Sequence, residues 1–343
     1  METLIASPKA PEPPEPSKAF TPKTVRSPWP RFLLGRLAGL AGVLVMLIVG
    51  TFLIVQLIPG DPAQVMAGPD ASQAQVERIR QEQGLDQPLF TQFTDYAGGL
   101  LEGDLGTSFS SGLPVSEIIA NRLPFTAQIA LLAVVIALAV SVPLGMAVAV
   151  ACRGGRRKAL DTAFTSVTAV LGSIPEFVLA TLLIMFFAIK LNMFPPSGAA
   201  TLDSMVLPIL ALTIAPICTL ARVVRRETAA VLSMDYMRTA KGRRLKALRL
   251  YARHALPNLM TSTLTLGGLV LTGLLGGAVI VEFVFAWPGL GTGVLDALVK
   301  RDYPVIQGVV LLLGVLATLL NLLVDVVLGL LDPRSLHGKA GDA

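Results

Sequence analysis

Two carboxylates lie within apolar stretches of this 343-residue chain, and their positions could support chemistry inside a membrane. Glu176 follows Ser173-Ile174-Pro175, and Asp325 lies near the predicted inner end of the last apolar stretch. A carboxylate at membrane depth is costly unless protein or water surrounds it. The proline interrupts helical hydrogen bonding, so Ser173, Pro175 and Glu176 are candidates for a bent, water-lined passage. A carboxylate satisfied by neighbouring helices is the alternative interpretation.

Motifs for catalysis and metal binding are missing from the sequence. It has no Gly-x-x-x-x-Gly-Lys-Ser/Thr loop to hold ATP phosphates, no His-Glu-x-x-His and no Cys-x-x-Cys. Two histidines and two cysteines are too few for most metal sites. Gly273 and Gly277 show a G-x-x-x-G spacing within an apolar stretch, which favours close helix packing, either inside the chain or between subunits. We therefore expect neither an enzyme nor a metalloprotein.

The segment 222–258 is the most basic part of the chain, with 10 basic residues against two acids. Leu245, Leu248, Ala252 and Ala255 recur at helical spacing, which predicts an amphipathic helix. Such a helix either lies on anionic lipid headgroups or docks onto a cytoplasmic partner. The segment is long for a simple connection between helices. The net charge of +5 is therefore not interpreted as binding to nucleic acid.

Composition indicates the elements that position these residues. The chain is 53% hydrophobic and 15% charged, with a mean hydropathy of +0.68, whereas soluble domains average about 25% charged residues. A membrane-crossing helix needs roughly 20 mostly apolar residues. The sequence predicts an all-α integral membrane protein with six transmembrane helices. The predicted spans are Leu37–Ile58, Phe125–Cys152, Thr162–Ile189, Met205–Ala221, Leu259–Val281 and Pro304–Val324.

The distribution of Lys and Arg predicts the orientation. The two tails and the loops that share their side carry 22 of these residues, and the opposite loops carry 6. Because positive loops remain in the cytoplasm, we expect both termini to be cytoplasmic. The predicted organisation is a disordered Pro-rich tail (1–30), a transmembrane domain (31–335) and a short cytoplasmic tail (336–343). The domain includes an extracytoplasmic loop (59–124) and the cytoplasmic loop (222–258).

Short motifs along the chain carry a resemblance to a known family. In their order they resemble the inner-membrane permease subunits of bacterial ABC importers for peptides, in the dipeptide, oligopeptide and nickel branch. The resemblance covers about residues 31–335 and implies the type I ABC importer permease fold. The motifs are Leu57–Pro62, Gly103–Ser108, Arg122–Pro124, Ser173–Pro175, Pro195–Gly198, Trp287–Gly291, Arg301–Pro304 and Leu331–Arg334.

The family's cytoplasmic signature is present with one departure. Arg238-Thr239-Ala240 resembles its start, Asp235-Tyr236 the residues before it, and Leu256-Pro257 its end. The signature glycine falls at Arg244, whereas a glycine occurs two places earlier, at Gly242. Because glycine permits the turn between two short helices, we predict that this turn moves to Lys241-Gly242-Arg243.

The resemblance implies partners and roles for these residues. The cytoplasmic loop would be a coupling helix on an ATP-binding subunit, with ATP and Mg bound by that subunit and no cofactor in this chain. Further partners would be a second homologous permease, one or two ATPase subunits, an extracytoplasmic substrate-binding protein, the peptide and membrane lipid. Asp104, Trp287, Pro288 and Gly289 would face the binding protein. The coupling residues would be Asp235, Tyr236, Arg238, Thr239, Ala240, Gly242, Arg244, Leu245, Leu248, Leu256 and Pro257.

Other functions remain open at this level. Within the same branch, nickel or glutathione import competes with peptide import. An ion-coupled secondary transporter is a rival class, although few acids lie at membrane depth and the two halves show no matching broken helices. A membrane enzyme is a second rival, which the lack of a nucleophile or metal set disfavours.

Overall fold

The computed structural model describes residues 29–57, 60–68, 70–242, 250–251 and 255–331. Within these ranges the secondary structure is helical, apart from an isolated β-bridge between Thr107 and Pro114. The helices are α1 (Trp29–Leu57), α2 (Pro62–Ala67), α3 (Gln73–Glu82), α4 (Leu89–Glu102), α5 (Val115–Ala151), α6 (Lys158–Gly172), α7 (Glu176–Leu183), α8 (Val206–Ser233), α9 (Asp235–Gly242), α10 (Leu256–Val284), α11 (Leu290–Lys300) and α12 (Tyr303–Leu331). The predicted all-α class is confirmed.

Four helices, α1, α5, α8 and α12, are long and apolar enough to cross a membrane. Two further spans are bent. Lys158–Gly172 and Glu176–Lys190 meet at 93°, and Leu266–Leu274 and Gly276–Val284 meet at 43°. If each bent pair is one span, the described residues contain six, in agreement with the sequence. Helix α8 extends beyond the predicted span Met205–Ala221, because it continues through a polar stretch to Ser233.

The break in the third span lies where the sequence predicted it. Helix α6 ends at Gly172, and helix α7 begins at Glu176, directly after Pro175. Proline has no N–H and disfavours helical backbone in the residue before it, so the helix stops and restarts in a new direction. Helix α7 continues into a wider π-helical turn, Ile184–Lys190.

A small helical cap follows α1. Ser72 caps helix α3 by accepting a hydrogen bond from the Gln75 N–H, and the Gln75 side chain accepts one from the Ser72 N–H. This capping box satisfies donors that a helix start otherwise leaves unpaired. Helix α4 packs on α1, where the Tyr96 hydroxyl lies 3.0 Å from the Thr51 hydroxyl. The segment that the sequence predicted to be an extracytoplasmic loop therefore contains the helices α2, α3 and α4.

Buried apolar residues form three clusters along the molecule. A central cluster joins α5, α7, α8 and α10, and includes Leu212 and Trp287. A second cluster joins the start of α5 to α11 and α12. A third lies at the end of α8, where Leu232, Met237 and Leu259 pack together. The second cluster includes residues of the motifs Trp287–Gly291 and Arg301–Pro304, and the third cluster includes Ala240 of the cytoplasmic signature.

Candidate coupling and translocation sites

Helix α9 carries the start of the cytoplasmic signature. It follows α8 after a single residue, Met234. Met237 is fully buried and Ala240 is nearly so, and both pack into the third cluster. Residues three apart share one face of a helix, so these two hold α9 against the membrane domain. Asp235, Tyr236 and Thr239 form the exposed face of the helix.

Several predicted coupling residues can be placed only in part. Arg238 lies in α9, and Leu256 and Pro257 begin α10, with Leu256 half-buried. Gly242 is exposed and is the last described residue of α9. Arg244, Leu245 and Leu248 lie outside the described residues, as does Arg243 of the predicted turn. The position of that turn stays a prediction.

Ala240 has a different role from the one that the sequence suggested. Its side chain is 6% exposed and packs inside this chain. It therefore positions helix α9 instead of presenting its methyl group to a partner. The sequence pattern could not separate the two roles, because a short helix presents a face to each side.

Glu176 lies at the break between α6 and α7, against helix α10. The carboxylate is so close to Gly277 that any side chain there would collide with it. Gly277 therefore packs against another helix of the same chain. For this glycine, the G-x-x-x-G spacing reflects packing inside the chain. A Cβ on Gly273 or Gly276 would meet nothing within 4 Å. Helix α10 thus has open surface beside the carboxylate.

Two residues just before Glu176 are more exposed than Glu176 itself. Ser173 and Pro175 are exposed, and Glu176 is half-buried. The Ser173 hydroxyl donates to the Val170 carbonyl, 2.9 Å away. Among the described residues, nothing forms a hydrogen bond or ion pair with the Glu176 carboxylate. Asp325, in contrast, pairs with Arg36 of α1 at 2.7 Å and so has a structural role. The two membrane carboxylates are therefore not equivalent.

The turn between α10 and α11 corrects one prediction. Trp287 is 1% exposed, and its Nε1 donates to the Phe125 carbonyl at 3.1 Å. Gly289 is buried, and its carbonyl accepts from Arg122 Nη1 at 3.2 Å. A buried indole with a hydrogen-bond acceptor is stable inside a protein, so these residues fasten the turn and do not form a contact surface.

Pro288 and Asp104, which were also expected to face the binding protein, are more exposed than Trp287 and Gly289. Pro288 is half-buried. Asp104 is exposed, and its Oδ1 accepts from the Gly106 N–H at 2.8 Å. Of the four residues expected to face a binding protein, Asp104 is therefore the strongest remaining candidate.

Two buried carboxylates at this end were not found from the sequence. Glu282 is fully buried and accepts from the Gly291 N–H at 2.7 Å. Asp302 is 1% exposed and accepts four hydrogen bonds at 2.5–3.1 Å, from the hydroxyls of Ser108 and Ser110 and the N–H groups of Phe109 and Ser110. Burial alone would raise the pKa of Asp302, but these bonds outweigh it and lower the pKa. The sequence feature that could have identified Asp302 is an acid directly before Tyr303-Pro304, where helix α12 begins.

Two models of one family match most of the chain. Residues 141–337 match the model described as binding-protein-dependent transport system inner membrane component, and residues 30–130 match the model of its N-terminal part. The chain belongs to this family. It is therefore a permease, an integral inner-membrane protein with several membrane spans. Membership implies that an ATPase and a substrate-binding protein work with it.

Curated relatives match the permease over nearly their whole length. A putative peptide transport system permease protein of Brucella abortus (strain 2308) is 39% identical over 310 residues, covering 88% of this chain and 98% of the relative. The glutathione transport system permease protein GsiC of Salmonella choleraesuis (strain SC-B67) is 40% identical over 302 residues, covering 88% and 97%. The predicted family is confirmed.

A solved structure shows the fold. The permease matches a chain of the MetNI methionine ABC transporter in an inward-facing conformation, with a TM-score of 0.55. The match covers 63% of this chain and 97% of the other at 17% identity, so it is evidence for the fold alone. The predicted type I importer architecture is confirmed.

Proposed function

We propose that this permease forms half of the passage of an ATP-driven importer for di- and oligopeptides. A second homologous permease forms the other half, and one or two ATPase subunits bind ATP and Mg, for which this chain supplies no site. The observation that carries the proposal is the match at 39% identity to a relative named as a peptide transport permease, over 98% of its length. Both termini lie in the cytoplasm, as the 22-to-6 distribution of Lys and Arg favours.

Helix α9 couples ATP hydrolysis to transport. Its buried residues Met237 and Ala240 fix it to the permease, and its exposed residues Asp235, Tyr236 and Thr239 contact the ATPase. The proposed coupling role includes Arg244, Leu245 and Leu248, which lie outside the described residues. Movement passes into α8, in which Arg225 lies about 15 Å before α9 along the helix axis. Arg225 pairs with Asp161 of α6, so α6 and the break at its far end move with α8.

Glu176 lines the passage. An unpaired carboxylate cannot face hydrocarbon without a large cost, so the open surface at Gly273 and Gly276 faces water or protein. A passage with one carboxylate and small neighbouring residues suits peptides, because it contacts the variable side chains weakly. Specificity is then left to the extracytoplasmic binding protein, which contacts the permease on the side of Asp104.

Glutathione is the second candidate substrate. The relative named as a glutathione permease is 40% identical over 97% of its length, which is as strong a match as the peptide relatives. Glutathione is itself a small peptide, so the same passage accommodates both. Nickel import gains no comparable support from the relatives named above.

Uptake by the assembled transporter tests the proposal. The permease is reconstituted in liposomes with its partner permease, ATPase subunits and binding protein, and accumulation of labelled tripeptide, glutathione and Ni²⁺ is measured. We expect ATP-dependent uptake of tripeptide that excess unlabelled peptide competes away. Uptake of glutathione alone would replace peptide as the substrate. Uptake driven by an ion gradient without ATP would contradict the proposal.

A further inference from the structure

The hairpin between α5 and α6 carries a groove of about 920 Å³. Arg153, Arg156 and Arg157 line it, together with Val150 and Ala151 from the end of α5 and Tyr251 from the segment before α10. A second cavity of about 310 Å³ adjoins it, shares Arg153 and Gly154, and extends to Leu232 of α8. The groove therefore combines three guanidinium groups with apolar walls.

The charge of this groove is not neutralised within the described part of the chain. All three arginines are exposed, and none of them forms an ion pair with a described acid. The nearest acid along the chain, Asp161, pairs with Arg225 instead. Guanidinium groups present a planar fork of donors that matches phosphate oxygens better than an ammonium group does. The groove thus has the chemistry of a phosphate site.

The position of the hairpin indicates where that phosphate comes from. Helix α5 ends at Ala151 and α6 begins at Lys158, and both belong to membrane spans, so the loop between them lies at headgroup level. Leu144 of α5 and Leu160 of α6 are exposed within about two turns of the hairpin, which leaves apolar surface for acyl chains. Basic pockets between spans on the cytoplasmic side suit anionic lipids.

We infer that the groove formed by Arg153, Arg156, Arg157 and Tyr251 binds the headgroup of an anionic phospholipid from the cytoplasmic leaflet. The arginines bind its phosphate groups, and Val150 and Ala151 contact its glycerol backbone. This bound lipid fixes the α5–α6 hairpin next to α8, the helix that leads into α9. The inference needs the membrane orientation but not the identity of the transported substrate.

Lipid binding to the purified, assembled transporter tests the inference. Fluorescent cardiolipin is titrated onto the complex in detergent, and cardiolipin, phosphatidylglycerol, phosphatidylcholine or sodium phosphate is added as competitor. We expect the two anionic lipids to displace the probe, and phosphatidylcholine and sodium phosphate to leave it bound. Competition by phosphatidylcholine at equal strength, or displacement by free phosphate, would overturn the lipid assignment.

Substitutions of basic residues in the α5–α6 hairpin test which of them contact the lipid. A basic residue in direct contact with an anionic headgroup contributes roughly fivefold in affinity, since about 1 kcal/mol corresponds to that factor, whereas a nearby charge that makes no contact is screened by salt. We expect Arg156→Gln to weaken cardiolipin binding about fivefold and the triple Arg153→Gln, Arg156→Gln, Arg157→Gln variant roughly a hundredfold. Lys158→Gln removes one charge beside the groove without lining it, so it should change affinity less than about twofold.

Two further results would show that the groove is not a specific lipid site. Equal losses in Arg156→Gln and Lys158→Gln would mean that only diffuse charge attracts lipid, and would overturn the inference. Cardiolipin binding that appears only after the ATPase subunits are removed would assign the groove to the ATPase interface, and would also overturn it. Because neither result depends on peptide uptake, failure here leaves the proposed function intact.

Discussion

At the end of the permease where α5 and α12 begin, which the proposed orientation makes the outer end, Asp302 accepts four hydrogen bonds inside the protein. At the inner end, Arg153, Arg156 and Arg157 line an open groove without an acidic partner among the described residues. Buried charge is costly unless it is paired or hydrogen-bonded, so the four hydrogen bonds give Asp302 a structural role at this end. The inner end keeps charge at its surface, where lipid and partner subunits are available. The hydrogen-bonded Asp302 thus belongs to a rigid support, whereas the three arginines belong to a surface that can bind other molecules.

Removing the buried carboxylate of the outer end should have the largest effect. Asp302→Ala leaves four donors without an acceptor, and each unsatisfied buried group costs about 1–3 kcal/mol. We expect a loss of roughly 4 kcal/mol in the free energy of unfolding, measured by thermal unfolding of the detergent-solubilised complex. Asp104→Asn, at an exposed acid just after α4, should change stability by under about 0.5 kcal/mol. Equal losses of unfolding free energy in the two variants would show that Asp302 stabilises the fold no more than an exposed acid does.

The same carboxylate predicts an acid-sensitive outer corner. The pKa of Asp302 is lowered in the folded protein from its ordinary value of 3.8. Its contribution to stability is therefore complete above that value and is lost as the pH falls through it toward the folded pKa. Unfolding followed from pH 6 to pH 3 should show a steeper loss in the native protein than in Asp302→Asn. Parallel curves would contradict this assignment.

Substitutions in helix α9 sharpen the comparison at the inner end. Ala240→Glu places a charge in the third apolar cluster and should cost roughly 2 kcal/mol or more, so both stability and peptide uptake fall. Thr239→Glu is on the exposed face, so it should leave stability unchanged and separate ATP hydrolysis from uptake. Unfolding and the ratio of peptide transported to ATP hydrolysed are measured together. Unaltered uptake in both variants would refute the coupling role of α9.

The contact between α7 and α10 gives a smaller effect, on both stability and transport. Gly277→Ala forces a methyl group against the Glu176 carboxylate, and overpacking of this kind costs about 1–3 kcal/mol. Gly276→Ala faces open space and should have no effect. Adding Glu176→Ala to Gly277→Ala should restore stability but not uptake, because the passage then lacks its carboxylate. Full uptake in that double variant would show that Glu176 has only a packing role.

The smallest expected effect is at the contact between α1 and α4. Burial raises the pKa of Tyr96, while its hydrogen bond with Thr51 acts in the opposite direction. Tyr96→Phe removes this hydrogen bond and should cost about 1 kcal/mol of unfolding free energy. A double-mutant cycle with Thr51→Ala measures the coupling, which should be similar in size. No coupling would show that the two hydroxyls act independently.

The sequence predicted well those features that depend on local chemistry. The apolar windows and the break at Pro175 both follow from neighbouring residue types. The family motifs added the fold and the position of α9. The end of α8 was missed because helix continues beyond the apolar stretch wherever one face can still pack, as the buried Leu232 does at its last turn.

The site residues show the limit of such prediction. Asp104 and Trp287 both lie in motifs of the outer end, yet one is exposed and the other is buried. Exposure depends on what packs against a residue from elsewhere in the chain, and the Trp287 partner, Phe125, is 162 positions away. The importance of Asp302 was hidden for the same reason, since its partners lie about 190 positions earlier.

The sequence by itself determined that this protein is a helical membrane protein, because hydropathy, proline positions and charge bias act over short distances along the chain, and its ordered motifs added the resemblance to a permease family. Only the tertiary structure decided that Asp302 accepts four hydrogen bonds, that Glu176 lies beside Gly277 with no ionic partner among the described residues, and that Tyr251 shares a groove with the three arginines of the α5–α6 hairpin. These outcomes depend on which helices meet. The free energy of these contacts comes from side chains that are far apart in the sequence and close in space, and a local sequence pattern does not predict which of them meet.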